Sequence, residues 1–177
     1  MEKEIERLLP LAEAGIPQAQ YDLGTLYWKN ENLKDAVHWL EKSAHQEHPK
    51  QDRAQWQLGV CYFYGKGVQE NKVSAIEWFR KSADKGFALA QLYLGRCYYE
   101  GVGVLQDHEE AVRWLGKAAE QRQALAQYYL GKCSLYGKGV PENREEAIAW
   151  LQKAANQGLA VAENLLQVIQ GNNMDEN

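Results

Sequence analysis

The chain has 177 residues, 45% of them hydrophobic, with a net charge of −4 and a pI near 5.6. That share of hydrophobic residues is ordinary for a globular protein and supplies a sizeable core. The acidic balance argues against bulk binding to nucleic acid or anionic lipid, both of which need a basic face, and no apolar run approaches the roughly eighteen residues of a membrane span.

The opening "MEKEIERLLPLAEAG" alternates charged and apolar residues. It reads as one helix over about 2–14, closed by Gly15, and lacks the continuous apolar stretch of a secretory leader. A cytoplasmic location is therefore expected. A degenerate two-helix unit follows over about 17–50, marked by Gly24 and Trp39. Three regular units come next, over about 51–86, 87–122 and 123–158. They carry "LGVCYFYGKGV", "LGRCYYEGVGV" and "LGKCSLYGKGV" at thirty-six-residue spacing, with Gly59, Gly95 and Gly131 in register and Trp78, Trp114 and Trp150 likewise. The last segment, about 159–170, reads as a lone first helix with Gln167 where the repeated glycine would be. Residues 171–177 read as a disordered tail.

A fixed period of this length is the mark of a repeat architecture. Each regular unit reads as a helix, a glycine turn and a second helix; in the third unit the first helix spans about Ala88 to Tyr99. Asn32, Asn71, Asp107 and Asn143 each stand seven residues before a Trp, the place of an N-cap. Glu110 and Glu146 stand three residues after Asp107 and Asn143, as in a capping box. No strand pattern appears. The whole is an all-α, α/α solenoid of helix-turn-helix repeats, four repeats plus capping helices, ten helices in one domain over 1–170.

At about 100° per residue, the repeated letters of the first helices fall on one arc. They are Ala54/Ala90/Ala126, Gln55/Gln91/Gln127, Leu58/Leu94/Leu130, the glycine, the cysteine and usually a tyrosine (Tyr27, Tyr62, Tyr98). A repeated contact needs a repeated residue, so this arc is the packed face, with the glycine admitting the second helix.

The pattern "AQ..LG..Y..G.GV" with "A..WL.KAA..G" resembles the Sel1-like repeat, a relative of the tetratricopeptide repeat. The resemblance covers roughly Pro17 to Gly158. It implies helix pairs wound into a right-handed superhelix with a concave surface lined by the first helices. It also implies that function lies in binding another protein. Three departures are visible: the first unit lacks the Gly-x-Gly turn, Ser134 replaces a tyrosine, and Glu47 and Arg122 stand where Gly86 and Gly158 close their units.

Catalytic chemistry finds little support. Cys61, Cys97 and Cys133 recur at one structural position, whereas an active site is unique. Stacked helices sit roughly 8–10 Å apart, too far for a disulfide, which needs Cα atoms within about 7 Å. The three are expected to be reduced core residues. The "GKGV" loops join helices and lack the third glycine and preceding strand of a dinucleotide fingerprint. His45 and His48, with His38 one helix earlier, fall short of the three or four converging ligands of a zinc site. His108 follows an N-cap and is expected to face solvent. No catalytic residue, metal site or cofactor is expected.

The variable arc opposite the packed face is where function is expected. An exposed helix face is normally charged and polar, but this one is rich in aromatics and cations, the types enriched at binding hot spots. The expected partner-binding residues are Trp28, Arg53, Trp56, Val60, Phe63, Tyr64, Leu89, Tyr93, Arg96, Tyr99, Glu100, Tyr128, Tyr129, Lys132 and Tyr136. Among the arc's flanking residues, Tyr21, Trp56, Leu92 and Tyr128 are also candidates for packing between repeats. The second helices read as solvated outer surfaces.

The expected function is a non-enzymatic adaptor, monomeric alone, that takes a protein or peptide segment in its aromatic groove, with no nucleic acid and no membrane insertion. An immunity or antitoxin protein is a narrower version. Two alternatives stand beside it: an enzyme or small-ligand binder acting on β-lactam or peptidoglycan-like substrates, which some cysteine-rich relatives of the family suggest, and a self-associating structural solenoid.

Overall fold

A computed structural model describes residues 2–171, and among them it contains ten α-helices and no strand. They are α1 (Glu2–Glu13), α2 (Pro17–Lys29), α3 (Leu33–Ala44), α4 (Gln51–Tyr64), α5 (Lys72–Asp84), α6 (Ala88–Glu100), α7 (His108–Glu120), α8 (Ala124–Tyr136), α9 (Arg144–Ala155) and α10 (Ala160–Gly171). The architecture is an all-α helical-repeat solenoid. Gly171 is the last residue of α10, and the rest of the expected tail lies outside the described residues.

The chain divides into two compact units, Met1–Ala90 and Gln91–Asn177, with the boundary inside α6. In the first, α1 packs Leu8 and Ala12 against Ala19, Leu23 and Trp39. A second cluster joins Val37, Leu40 and Ala44 of α3 to Ala54, Leu58 and Cys61 of α4. In the second unit, Ala111, Leu115, Ala118 and Ala119 of α7 meet Ala126, Leu130 and Cys133 of α8. Leu151 and Ala154 of α9 meet Ala162, Leu166 and Ile169 of α10. Each fully buried leucine stabilises the fold by about 1.5–3 kcal/mol through area removed from water.

The repeated glycines let the paired helices touch. A Cβ on Gly24 would meet Leu40 at 3.0 Å, one on Gly59 would meet Phe79 at 2.6 Å, and one on Gly95 would meet Leu115 at 2.7 Å. The repeated glutamines stitch each repeat to the one before. Gln20, Gln55 and Gln127 donate to the carbonyls of Ala12, Ala44 and Ala119 at 3.1, 3.1 and 3.2 Å. These bonds satisfy the buried amide nitrogens, while the Gln55 Oε1 is buried without a hydrogen-bond partner among the described residues.

Helix starts follow the expected caps with two corrections. The side chains of Asn71, Asp107 and Asn143 accept from the backbone N–H of Ser74, Glu110 and Glu146. Asn32 makes no such bond; its amide turns to Asp35 at 2.7 Å. The capping boxes form only in half. The N–H groups of Asp107 and Asn143 are already bound to the carbonyls of Tyr98 and Ser134, so Glu110 and Glu146 accept instead from the indoles of Trp114 and Trp150.

The substituted closing positions also diverge. Arg122 takes the left-handed conformation of the glycines, with φ 63° beside 90° at Gly86 and 81° at Gly158. Glu47 does not. Among the described non-glycine residues only Glu31 and Arg122 have positive φ. The segment after α3 instead folds back through His48, whose Nε2 lies 2.8 Å from Ser43 Oγ.

Candidate functional site

The variable residues gather into an aromatic and cationic cluster in each unit. In residues 1–90, Phe63 and Tyr64 end α4 with ring centroids 4.9 Å apart. The glycines after them reverse the chain: Gly65 and Gly67 have φ 65° and 74°, a region that only glycine occupies without cost. Between them, Lys66 is carried back so that its ammonium lies 5.1 Å from the Trp28 ring and 5.9 Å from the Tyr64 ring. Lys72 lies 4.0 Å from the Phe63 ring and 3.3 Å from Glu70. Trp28, Lys29, Glu31, Leu33 and Lys66 line a cleft of about 520 Å³.

The remaining expected residues of this unit vary in exposure. Arg53 and Tyr64 are exposed, and Trp28, Trp56, Phe63 and Leu89 are half-buried. Trp56 packs on Phe87 at 5.5 Å. Val60 is buried, which removes it from a face open to a partner in this conformation.

In residues 91–171 the cluster centres on Tyr99 and Tyr129, whose rings lie 5.2 Å apart. Arg96 lies 6.0 Å from the Tyr93 ring and 5.8 Å from the Tyr129 ring, and pairs with Glu100 at 3.6 Å. The Tyr129 hydroxyl donates to Glu100 at 2.8 Å. Burial, aided by that carboxylate, pushes the Tyr129 phenol up to about 12. Lys132 lies between three rings, 5.3 Å from Tyr99 and 5.6 Å from both Tyr128 and Tyr129. Such cation–π contacts contribute about 0.5–1 kcal/mol each where exposed.

Tyr136 and Glu100 are exposed, and Tyr93, Arg96, Tyr128, Tyr129 and Lys132 are half-buried. Tyr99 is buried. Tyr128 also packs on the α9–α10 cluster, and Leu92 is buried in the core, as inter-repeat packing expects. His108, expected in solvent, instead packs its ring 5.2 Å from Tyr99.

Sequence reasoning missed the turn lysines Lys66 and Lys138 and Lys72 at the start of α5, because it assigned the site from the first helices alone. The signal was the recurrence of Lys in the "GKGV" turns of the second and fourth units. Both lysines act alike: Lys66 caps Trp28, and Lys138 lies 5.0 Å from Tyr99. Trp28 and Tyr99 each end the first helix of the preceding repeat.

The second helices are more than a solvated surface. Each carries a Trp with a Lys three residues on, and the ammoniums of Lys42, Lys81, Lys117 and Lys153 lie 4.5, 4.2, 4.1 and 4.0 Å from the Trp rings. Three-residue spacing places such a pair on one face of a helix.

The cysteines and histidines have local roles. All three thiols are buried and free. Burial pushes Cys61 up to about 12 and Cys133 up to about 11, so neither is a nucleophile at neutral pH. His38 lies against Trp39, His45 against Trp78 and the Glu41 carbonyl, and His48 against Ser43. Among the described residues no group of three or more His, Cys, Asp or Glu side chains is placed to hold a metal ion, and no helix is long and apolar enough to cross a membrane.

The family model described as "Sel1 repeat" matches residues 17–48, 52–87, 88–122 and 124–159. The chain is similar to a solved protective antigen of uropathogenic Escherichia coli displaying an SLR fold, with 35% identity and a TM-score of 0.86 over 93% of this chain and 36% of that one. It is similar to a solved Sel1 repeat protein from Oxalobacter formigenes, with 34% identity and a TM-score of 0.80 over 93% of this chain and 48% of that one. Among curated proteins it matches "DAP3-binding cell death enhancer 1" of Rattus norvegicus, 37% identical over 94 residues, 51% of this chain. The matched region is 18% of that relative's length and 23% of a second curated relative's.

Proposed function

We propose that this chain, which belongs to the Sel1 repeat family, is a non-enzymatic adaptor that binds a segment of another protein along the variable faces of its first helices. Sel1 repeat proteins are in general protein–protein interaction scaffolds, and the rat relative carries the binding of another protein in its name. One observation carries the reading to particular residues. In both units the variable positions form half-exposed aromatic clusters with lysine or arginine laid over the rings, as at Trp28–Lys66 and Tyr129–Arg96. Rigid aromatics with adjacent cations are the anchors that give large contact area at small entropic cost. In this reading residues 1–170 act as one domain in the cytoplasm, monomeric until a partner docks.

Tagged protein purified from its native host, beside a Tyr64→Ala, Tyr93→Ala, Lys132→Ala bait with unchanged helical circular dichroism, tests this. The expected result is one stoichiometric protein held by the first bait and lost from the second. A partner held equally by both would place the site elsewhere, and a toxin domain as the partner would make the chain an immunity protein. Concentration-dependent assembly without a partner would favour a self-associating solenoid instead.

A further inference from the structure

The turn between α7 and α8 is closed by a cation where the other turns in register carry Gly15, Glu47, Gly86 and Gly158. Arg122 holds the left-handed conformation of those glycines, with φ 63°. A glycine would close this turn at no torsional cost. Residues held in such a conformation cluster at functional sites, where the side chain is needed in that place.

Arg122 lines a cavity of about 460 Å³ together with Glu120, Gln127, Trp150, Lys153 and Gln157. None of these belongs to the variable face of the first helices. A cavity of this size accommodates a small ligand or one side chain of a partner.

The lining carries uncommitted charge. Trp150 is half-buried, and the Lys153 ammonium lies 4.0 Å from its ring. A ring orders an ammonium without cancelling its charge. Neither Arg122 nor Lys153 makes an ion pair among the described residues. The amides beside them are engaged: Gln127 donates to the Ala119 carbonyl at 3.2 Å and accepts from Gln157 at 2.8 Å. The charged groups on the lining are therefore two cations and Glu120, whose carboxylate offsets one of them.

This pairing is particular to one repeat. Lys42, Lys81 and Lys117 also lie over a Trp, but Gly15, Glu47 and Gly86 stand in the register of Arg122 for them. In residues 1–90, moreover, His45 takes the register of Glu120 and packs 5.2 Å from the Trp78 ring.

We propose that Arg122 and Lys153 form a binding site for a phosphate monoester, carried on a side chain of a partner protein or on a small metabolite. The planar guanidinium presents two N–H groups to two phosphate oxygens, and the ammonium meets the third as a point charge. A carboxylate, with two oxygens and one charge, uses the pair less fully. The site stands apart from the adaptor reading, because it shares no lining residue with the variable face.

An NMR titration following the Trp150 indole N–H and the Arg122 side-chain signals tests this. The probes are acetyl-Ala-phosphoserine-Ala-amide, its unphosphorylated serine counterpart, acetyl-Ala-Glu-Ala-amide and inorganic phosphate. The phosphopeptide or inorganic phosphate is expected to bind about tenfold or more tightly than the serine and Glu peptides. Tighter binding of the phosphopeptide than of inorganic phosphate assigns the source to a protein side chain; equal or weaker binding assigns it to a small metabolite. Arg122→Gly and Lys153→Gln should each weaken phosphate binding by about fivefold or more. Glu120→Gln should tighten it, and Lys132→Gln, on the variable face, should leave it unchanged. Lys153 is exposed, so its substitution reads binding even where the turn at Arg122 responds to a glycine. No saturable shift with either phosphate probe, equal binding of the Glu peptide, or binding undiminished in either cation variant would each overturn the site. A partner retained through the variable face by a protein that binds no phosphate would sink this site alone and leave the adaptor reading standing.

Discussion

Gly131 of α8 lies so close to Leu151 of α9 that a Cβ on the glycine would stand 2.6 Å from the leucine Cγ and 3.2 Å from the Ala147 carbonyl oxygen. Backbone on one side and a fully buried leucine on the other leave no room to yield. Gly131→Ala should therefore destabilise the protein by about 1–3 kcal/mol through overpacking. Gly116, inside α7, has nothing within 4 Å of a Cβ, so Gly116→Ala should stabilise by about 0.5–1 kcal/mol through helix propensity. Urea unfolding of the two variants checks the pair, and equal signs would refute the close-approach account.

The caps make a graded prediction. Asn143 binds the Glu146 N–H at 3.0 Å, whereas Asn32 binds no backbone N–H of α3. Asn143→Ala should cost about 1 kcal/mol, and Asn32→Ala should cost less. Thermal unfolding of both at one pH measures the difference, and an Asn32→Ala loss as large as the Asn143→Ala loss would count against it.

The helices, their pairing and the glycine contacts were legible because a solenoid repeats each contact and so repeats its letters. Gln55 and Gln127 were legible as packed residues for the same reason, but their bonds to Ala44 and Ala119 depend on where the preceding helix ends. The candidate site was legible only in outline. A helical wheel directs a side chain but does not show what a following loop lays over it. Tyr99 thus reads as exposed on its helix, yet His108, Lys132 and Lys138 enclose it from three later segments. The half-formed capping boxes have a similar cause: whether the N-cap N–H is free is decided by a carbonyl one helix earlier.

His48 predicts a pH dependence. Ser43 Oγ donates to the Pro17 carbonyl at 3.0 Å, so its oxygen accepts from His48 Nε2–H at 2.8 Å. That tautomer leaves Nδ1 bare, facing the Lys50 N–H at 3.4 Å. The fold therefore holds the neutral imidazole. Burial lowers its pKa below the usual 6.5, with Lys50 acting in the same direction and the Ser43 contact, Asp52 and Asp22 opposing. The unfolded chain binds the proton first as pH falls. The stability from His48 is complete above pH 6.5 and is lost as pH falls from there through the depressed folded value. Denaturant unfolding between pH 7.5 and 5 should show a slope that His48→Gln reduces, and an unchanged slope would remove His48 as its source.

Arg122 holds a conformation that its side chain disfavours. Its φ of 63° lies in the left-handed region where Gly15, Gly86 and Gly158 close other segments at 85°, 90° and 81°. A Cβ at any of those three glycines would meet nothing within 4 Å, so the penalty at this turn is torsional rather than steric crowding by the fold. The left-handed conformation costs a non-glycine residue about 1–2 kcal/mol, offset in part because glycine loses more freedom on folding. Arg122→Gly should accordingly stabilise the protein by about 0.5–1 kcal/mol, and Gly158→Ala should destabilise it by a similar amount. Arg122 lines a cavity of about 460 Å³ with Trp150 and Lys153. Urea unfolding of the two variants measures both changes. A destabilised Arg122→Gly variant would mean that the arginine side chain makes up for its strained backbone.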